Sequence, residues 1–142
     1  MYKEMEDLEI GQIHSKEYLV SKEMILQFGT LTNDDNPLHS DHEFGKKTRF
    51  KDINAQGMLL GSLIIGIIGS DLPGPGWMCL GVDTLFNLPV FPDDKIKVSV
   101  KVEKILNALG VVILSGEIRN ENNGITCKAK IKVQKLEIKN DI

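Results

Sequence analysis

The run Leu31-Thr32-Asn33-Asp34-Asp35-Asn36-Pro37-Leu38-His39-Ser40-Asp41 places a carboxylate and an imidazole five residues apart, across a turn that contains proline. Such a turn can aim both side chains at one point. An imidazole holds or accepts a proton near neutral pH while a neighbouring carboxylate orients or takes the other, so Asp34 and His39 have the chemistry to move a water molecule. In the plain alternative, Asp34 caps the turn and His39 packs as a satisfied polar group. Spacing alone leaves these two readings balanced. Asp41 and His42 could be grouped with Asp34 and His39 as metal ligands, but the spacing matches no helical zinc pair. A solvated or helix-capping role is expected for both, and His14 has no evident partner. The Leu72-Pro73-Gly74-Pro75-Gly76 stretch lacks the Lys and Ser/Thr of a phosphate loop and reads as a turn.

The elements that must carry these residues follow from periodicity and punctuation. Ser21 is a plausible N-cap for a helix with apolar positions Met24, Ile25, Phe28 and Leu31, ending near Asn33. Asn33 to Pro37 is turn chemistry, since proline pushes Asn36 out of the helical region. A second short helix is expected over Asp41 to Thr48. Gly57 to Leu72 is apolar apart from Ser62, Ser70 and Asp71. It is shorter than the roughly 20 residues of a membrane span and is broken by glycines, so it predicts a helix buried on all sides. Trp77 to Phe86 reads as a strand. Ile96, Val98, Val100 and Val102 alternate with Lys95, Lys97, Ser99 and Lys101, and Cys127, Ala129, Ile131 and Val133 alternate with Lys128, Lys130 and Lys132. Val111-Val112-Ile113 lies between them, and Asn123-Gly124 marks a hairpin turn. The expectation is an antiparallel meander, curved around the Gly57 to Leu72 helix.

Composition bounds the partners. The chain has 142 residues, 42% hydrophobic and 26% charged, which describes one ordinary domain, residues 1–142. A formal net charge of -3 lacks the basic excess a nucleic-acid surface needs. Neither nucleic acid nor a membrane is an expected partner. Charge divides unevenly, with 7 basic and 12 acidic side chains in residues 1–71 and 10 and 8 in residues 72–142. The outward lysines read as a solvated sheet face, although one or two could meet a cofactor phosphate. Two cysteines, Cys79 and Cys127, and a start without a secretory pattern (Met1-Tyr2-Lys3-Glu4-Met5) lead us to expect free thiols in a reducing cytoplasm.

Asp34-Asp35-Asn36-Pro37-Leu38-His39 resembles the Asp-x-Asn-Pro-x-His element of the MaoC-like (R)-specific enoyl-CoA hydratases. Phe50, Gly57-Met58-Leu59-Leu60-Gly61-Ser62-Leu63, Leu72-Pro73-Gly74-Pro75-Gly76 and Phe86-Asn87-Leu88-Pro89-Val90 stand in that family's order and approximate spacing. The likeness covers about residues 12–136 and rests on several separate motifs.

The resemblance implies an α+β hot-dog fold, an antiparallel sheet wrapped around a long central helix, and reversible hydration of trans-2-enoyl thioesters to (R)-3-hydroxyacyl thioesters. By position, Asp34 and His39 look like the catalytic pair and the backbone N–H of Gly57 like the oxyanion donor. Gly57 opens the apolar helix, where unpaired N–H groups and the positive dipole end can stabilise an enolate oxygen, and glycine allows close approach of substrate. Gly57 could equally serve tight packing alone. Ser62 is associated with the active site in the family, yet a serine in a buried helix commonly bonds a carbonyl one turn back. Asn36 reads as the turn-former. Gln56 departs from the usual histidine; it can hydrogen-bond but cannot titrate. Pro92-Asp93-Asp94 replaces a Gly-Asp turn and is expected to alter loop shape only. The resemblance implies no redox cofactor or metal, coenzyme A or acyl carrier protein as carrier of the substrate, and a homodimer or higher homo-oligomer. A hot-dog thioesterase and a non-catalytic acyl-thioester-binding subunit are the competing readings.

Overall fold

The computed structural model describes residues 2–139. A strand, β1 (Ile13–Val20), precedes helix α1 (Lys22–Thr32) and the short helix α2 (His42–Lys46). The long helix α3 (Gly57–Ser70) follows, then strands β2 (Trp77–Phe86), β3 (Asp94–Leu106), β4 (Val111–Asn120) and β5 (Ile125–Lys135). All five strands form one antiparallel sheet in the order β1-β3-β4-β5-β2.

Alternation in β3 and β5 predicts the buried face correctly. Ile96, Val98, Val100 and Val102 are buried, as are Cys127, Ala129, Ile131 and Val133, together with Val112, Leu114 and Ile118 of β4. Each fully buried aliphatic side chain contributes about 1.5–3 kcal/mol of transfer free energy, and these rows form the floor on which α3 packs. Asn123 turns the β4–β5 hairpin with φ 62, and the Asn120 side-chain oxygen accepts N–H bonds from Asn122 and Gly124.

The expected meander needs correction. Only β3, β4 and β5 follow one another; β2 pairs with β5, from Trp77 opposite Lys135 to Phe86 opposite Cys127, and β1 lies outside β3. Period-two patterning reports which face is buried and is silent about which neighbour a strand takes. Strand β1 itself is not visible in the pattern. Its inward positions are His14, Lys16, Tyr18 and Val20, an unpromising core row. They are tolerable because Asp71, the C-cap of α3, receives them: Lys16 Nζ lies 2.8 Å from Asp71 Oδ2, and His14 Nε2 lies 3.7 Å from Oδ1. The Lys16 ammonium holds the Asp71 carboxyl below the usual carboxylate range.

Three other expectations shift. Helix α3 is not buried all round: Leu59, Leu60, Gly61, Ile64, Ile67 and Ile68 face the sheet, whereas Met58, Ser62, Gly66 and Gly69 form an exposed stripe. Helix α1 has Ser21 as its N-cap, as expected, with its side chain accepting from Met24 N–H. Leu31, however, is 79% exposed, and Ile25 is the residue that anchors the helix. Helix α2 is shorter than Asp41 to Thr48, because Asp41 is its N-cap rather than its first turn and accepts from Glu43 and Phe44 N–H. At the head of β3, Phe91 N–H bonds the Asp94 side chain and Asp93 takes φ 69. Among the described residues no helix is long and apolar enough to cross a membrane. Cys79 is an exposed free thiol and Cys127 a buried one, whose ionisation burial pushes up.

Candidate active site

Helix α1 ends where the candidate chemistry begins. Asn33 adopts the left-handed conformation (φ 54) and terminates the helix, its N–H directed to the Gly29 and Thr30 carbonyls. Asp34 N–H then bonds the Gly29 carbonyl at 2.9 Å, and Asp34 Oδ1 accepts from Asn36 N–H at 3.0 Å. Asn36 does shape the turn. Its side chain accepts from Leu38 N–H at 3.1 Å and caps a single 3-10 turn, Pro37–His39, with proline at the position whose missing donor costs nothing. Asp34 and His39 therefore leave one rigid turn with one carboxylate oxygen, Oδ2, uncommitted locally.

A second segment orients the imidazole. Residues Ile53, Asn54, Ala55 and Gln56 are all buried. Asn54 N–H bonds the Leu38 carbonyl at 3.1 Å, and the Asn54 carbonyl lies 2.7 Å from His39 Nδ1. A carbonyl only accepts, so Nδ1 carries the hydrogen, and in the neutral imidazole Nε2 is the nitrogen with the lone pair. Asp34 is the carboxylate near Nε2: His39 Nε2 and Asp34 Oδ2 are 4.0 Å apart. The gap is too long for a direct hydrogen bond and suits one water held between them. The His39 side chain is 14% exposed and that of Asp34 38%, so solvent reaches the pair from the carboxylate side.

His39 also divides two cavities. One, about 370 Å³, is lined by Asp34, His39, Ser40 and Gln56; the other, about 230 Å³, by His39, Asn54, Gly57 and Phe86. His39 is the residue that borders both. A wider groove of about 440 Å³, flanked by Glu17, Lys97 and Arg119, holds no such pair. Gly57 is the first residue of α3, so its N–H has no acceptor within the helix, and it meets no backbone acceptor elsewhere among the described residues. Its missing side chain is spoken for: a Cβ there would fall 2.6 Å from the ring of Phe86.

The remaining expected residues divide. Ser62 is exposed and donates to the Met58 carbonyl at 2.7 Å, the bond one turn back, and lines neither cavity. Gln56 is 4% exposed; its Nε2 donates to the Ile25 carbonyl at 2.9 Å, tying α3 to α1, while Oε1 is buried and has no partner among the described residues. His42 is no ligand candidate, since it bonds Lys22 Nζ at 2.9 Å and Asp52 Oδ1 at 2.7 Å. The imidazole, with the Ile53 N–H, lowers the Asp52 carboxyl from its ordinary range. Asn54 is the site residue the sequence reading missed. It acts through its carbonyl, a group every residue has, so its side-chain type carried no signal.

The MaoC-like domain model matches residues 7–122. The chain belongs to this family. It is 32% identical over 130 residues to the (R)-specific enoyl-CoA hydratase of Aeromonas caviae, covering 90% of this chain and 97% of that protein. It is also 32% identical over 101 residues to a 3-hydroxybutyryl-CoA dehydratase of Methylorubrum extorquens, covering 71% of this chain and 64% of the relative. Among solved structures, the unliganded R-hydratase from Pseudomonas aeruginosa superposes with a TM-score of 0.88 at 29% identity, over 95% of this chain and 86% of that one. As a MaoC-like protein this chain has the α+β hot-dog fold, with its sheet curved over α3.

Proposed function

We propose that this protein is a hydro-lyase that adds water reversibly to trans-2-enoyl thioesters, giving (R)-3-hydroxyacyl thioesters. The observation that carries the reading is the 4.0 Å separation of His39 Nε2 and Asp34 Oδ2, with the Nδ1 hydrogen held by the Asn54 carbonyl. The curated relatives named above add support for the reaction class and the (R) outcome.

In this reading a water sits between the pair. Asp34 Oδ2 accepts one of its hydrogens and His39 Nε2 the other, which leaves an oxygen lone pair for C3 of the enoyl group. As the C–O bond forms, His39 takes the proton and the C2=C3 π electrons move toward the thioester carbonyl. The Gly57 N–H, at the positive end of α3, stabilises the enolate oxygen. The imidazolium then returns its proton to C2, so one water is consumed and both side chains end as they began. Asn54 keeps the tautomer correct through both transfers. No redox cofactor or metal enters these steps, and the carrier is coenzyme A or acyl carrier protein.

The test is hydration of crotonyl-CoA followed by chiral analysis of the product. Loss of enoyl absorbance with the thioester intact and the (R) alcohol formed is the expected result. Release of free thiol would identify a thioesterase instead, binding without turnover a non-catalytic subunit, and an (S) product would contradict the assignment.

The working unit in this proposal is a homodimer of one-domain chains, residues 1–142. Strand β2 is a sheet edge whose Met78, Leu80, Val82, Leu85 and Phe86 are between 41% and 67% exposed, and Asp83 is its one charge. It lacks the lysines and prolines that usually guard an edge, and the exposed Met58 of α3 extends the apolar surface. A second copy related by a two-fold axis covers both. Sedimentation is expected to give at least twice the 15.8 kDa chain mass; a stable, active monomer would refute the dimer. The two free thiols support a cytoplasmic setting.

A further inference from the structure

Phe86 forms the wall of the smaller cavity against Gly57, and we infer that its ring sets the acyl-chain length the site accepts. This deepens the hydratase reading and rests on it. A Cβ on Gly57 would meet Phe86 Cε2, Cδ2 and Cζ at 2.6, 2.7 and 2.8 Å, so the ring fills the space beside the glycine Cα. Phe86 reaches that place because it ends β2 opposite the buried Cys127, which turns its side chain to the inner face of the sheet.

A thioester whose oxygen meets the Gly57 N–H must extend one of its two arms past this ring. The other walls there include Phe50, Leu60 and Leu88, which suit an alkyl chain better than the amide-bearing arm of the carrier. The volume of about 230 Å³ lies below the roughly 300–1,000 Å³ of ordinary ligand pockets, so the space beside the ring suits a short chain. Beyond the ring the surface is again apolar. Phe86 is 49% exposed, and Met58 and Val82, on the adjoining helix and strand, are 54% and 41% exposed. Removing the ring therefore opens the cavity toward the apolar face that the second copy of the proposed dimer covers, where added methylenes gain contacts.

The experiment compares the full-length protein with its Phe86→Leu and Phe86→Ala variants on enoyl-CoA substrates of four, six, eight and twelve carbons. Wild-type kcat/KM is expected to be highest on the four- and six-carbon substrates. Since a single methylene in an apolar pocket is worth about tenfold or more, Phe86→Ala should raise the eight-to-four-carbon ratio at least about tenfold, with Phe86→Leu between. Thermal melts of the same samples establish folding, and Phe86→Leu carries the test if the alanine variant does not fold. An unchanged ratio in a folded variant would overturn the inference while leaving the hydratase reading intact. So would a wild type equally active on twelve carbons. Absence of hydration by the wild type at every length would overturn the reading itself, and this inference with it.

Discussion

Asp34→Asn is expected to lower turnover on crotonyl-CoA by about 100-fold or more in a protein that still folds, and His39→Ala by a similar factor, the scale for loss of a positioned acid–base group. Asparagine keeps an oxygen that can accept the Asn36 N–H now bound by Asp34 Oδ1, so the turn survives. What it loses is the charge on Oδ2, the atom 4.0 Å from His39 Nε2. A turn-capping Asp34 would tolerate the change; one that orients a water would not. The double variant should be little worse than the worse single, because two groups acting on one water form a unit. Gln56→Ala should cost less activity than either, since the Gln56 amide ties α3 to the Ile25 carbonyl and cannot titrate. The check is initial rate beside thermal unfolding in the same samples. Near-wild-type turnover in a folded Asp34→Asn protein would remove the central residue of the assignment.

Gly45→Ala should lower stability by about 2 kcal/mol, or a melting temperature by roughly 5 °C, and activity with it. Two effects oppose each other. Gly45 lies inside α2, where alanine is intrinsically better by about 1 kcal/mol. Against this, an alanine Cβ would press on the Asp52 carbonyl carbon and come within 2.7 Å of Ile53 N. These are backbone atoms of a buried segment rather than a side-chain tip that can swing away, so the overpacking cost of about 1–3 kcal/mol falls at its upper end and wins. Activity falls because the displaced segment carries the Asn54 carbonyl that fixes His39 Nδ1. Calorimetry showing Gly45→Ala as stable as the wild type would refute the packing argument.

Much of this site is legible in the chain because its geometry is local. Asn33, Asp34, Asn36 and Pro37 build their turn from bonds that span two to five residues, so their types already announce it. The inward rows of β3 and β5 are equally plain, since a half-buried strand must alternate. Strand β1 was hidden because its inward row holds His14 and Lys16, and only the distant Asp71 makes that row acceptable. The exposed stripe of α3 was hidden for the opposite reason. Met58 and Gly66 look like core residues, and nothing local tells a helix that its sheet covers one side only.

By itself, the sequence determined the Asp34–His39 turn, the apolar helix, the alternating strands and, through motif resemblance, the family. Tertiary structure alone decided the order β1-β3-β4-β5-β2, the carbonyl that holds His39 Nδ1 and the packing of Phe86 against Gly57. The division follows from range. Capping, proline and periodicity act over a few residues and leave their mark in residue types, whereas strand partnership is chosen between segments far apart in the chain. The Asn54 carbonyl reaches His39 across 15 residues with a group that has no type at all. Phe86 meets Gly57 only because β2 takes β5 as its neighbour, and that pairing depends on the assembled sheet rather than on either strand's own sequence.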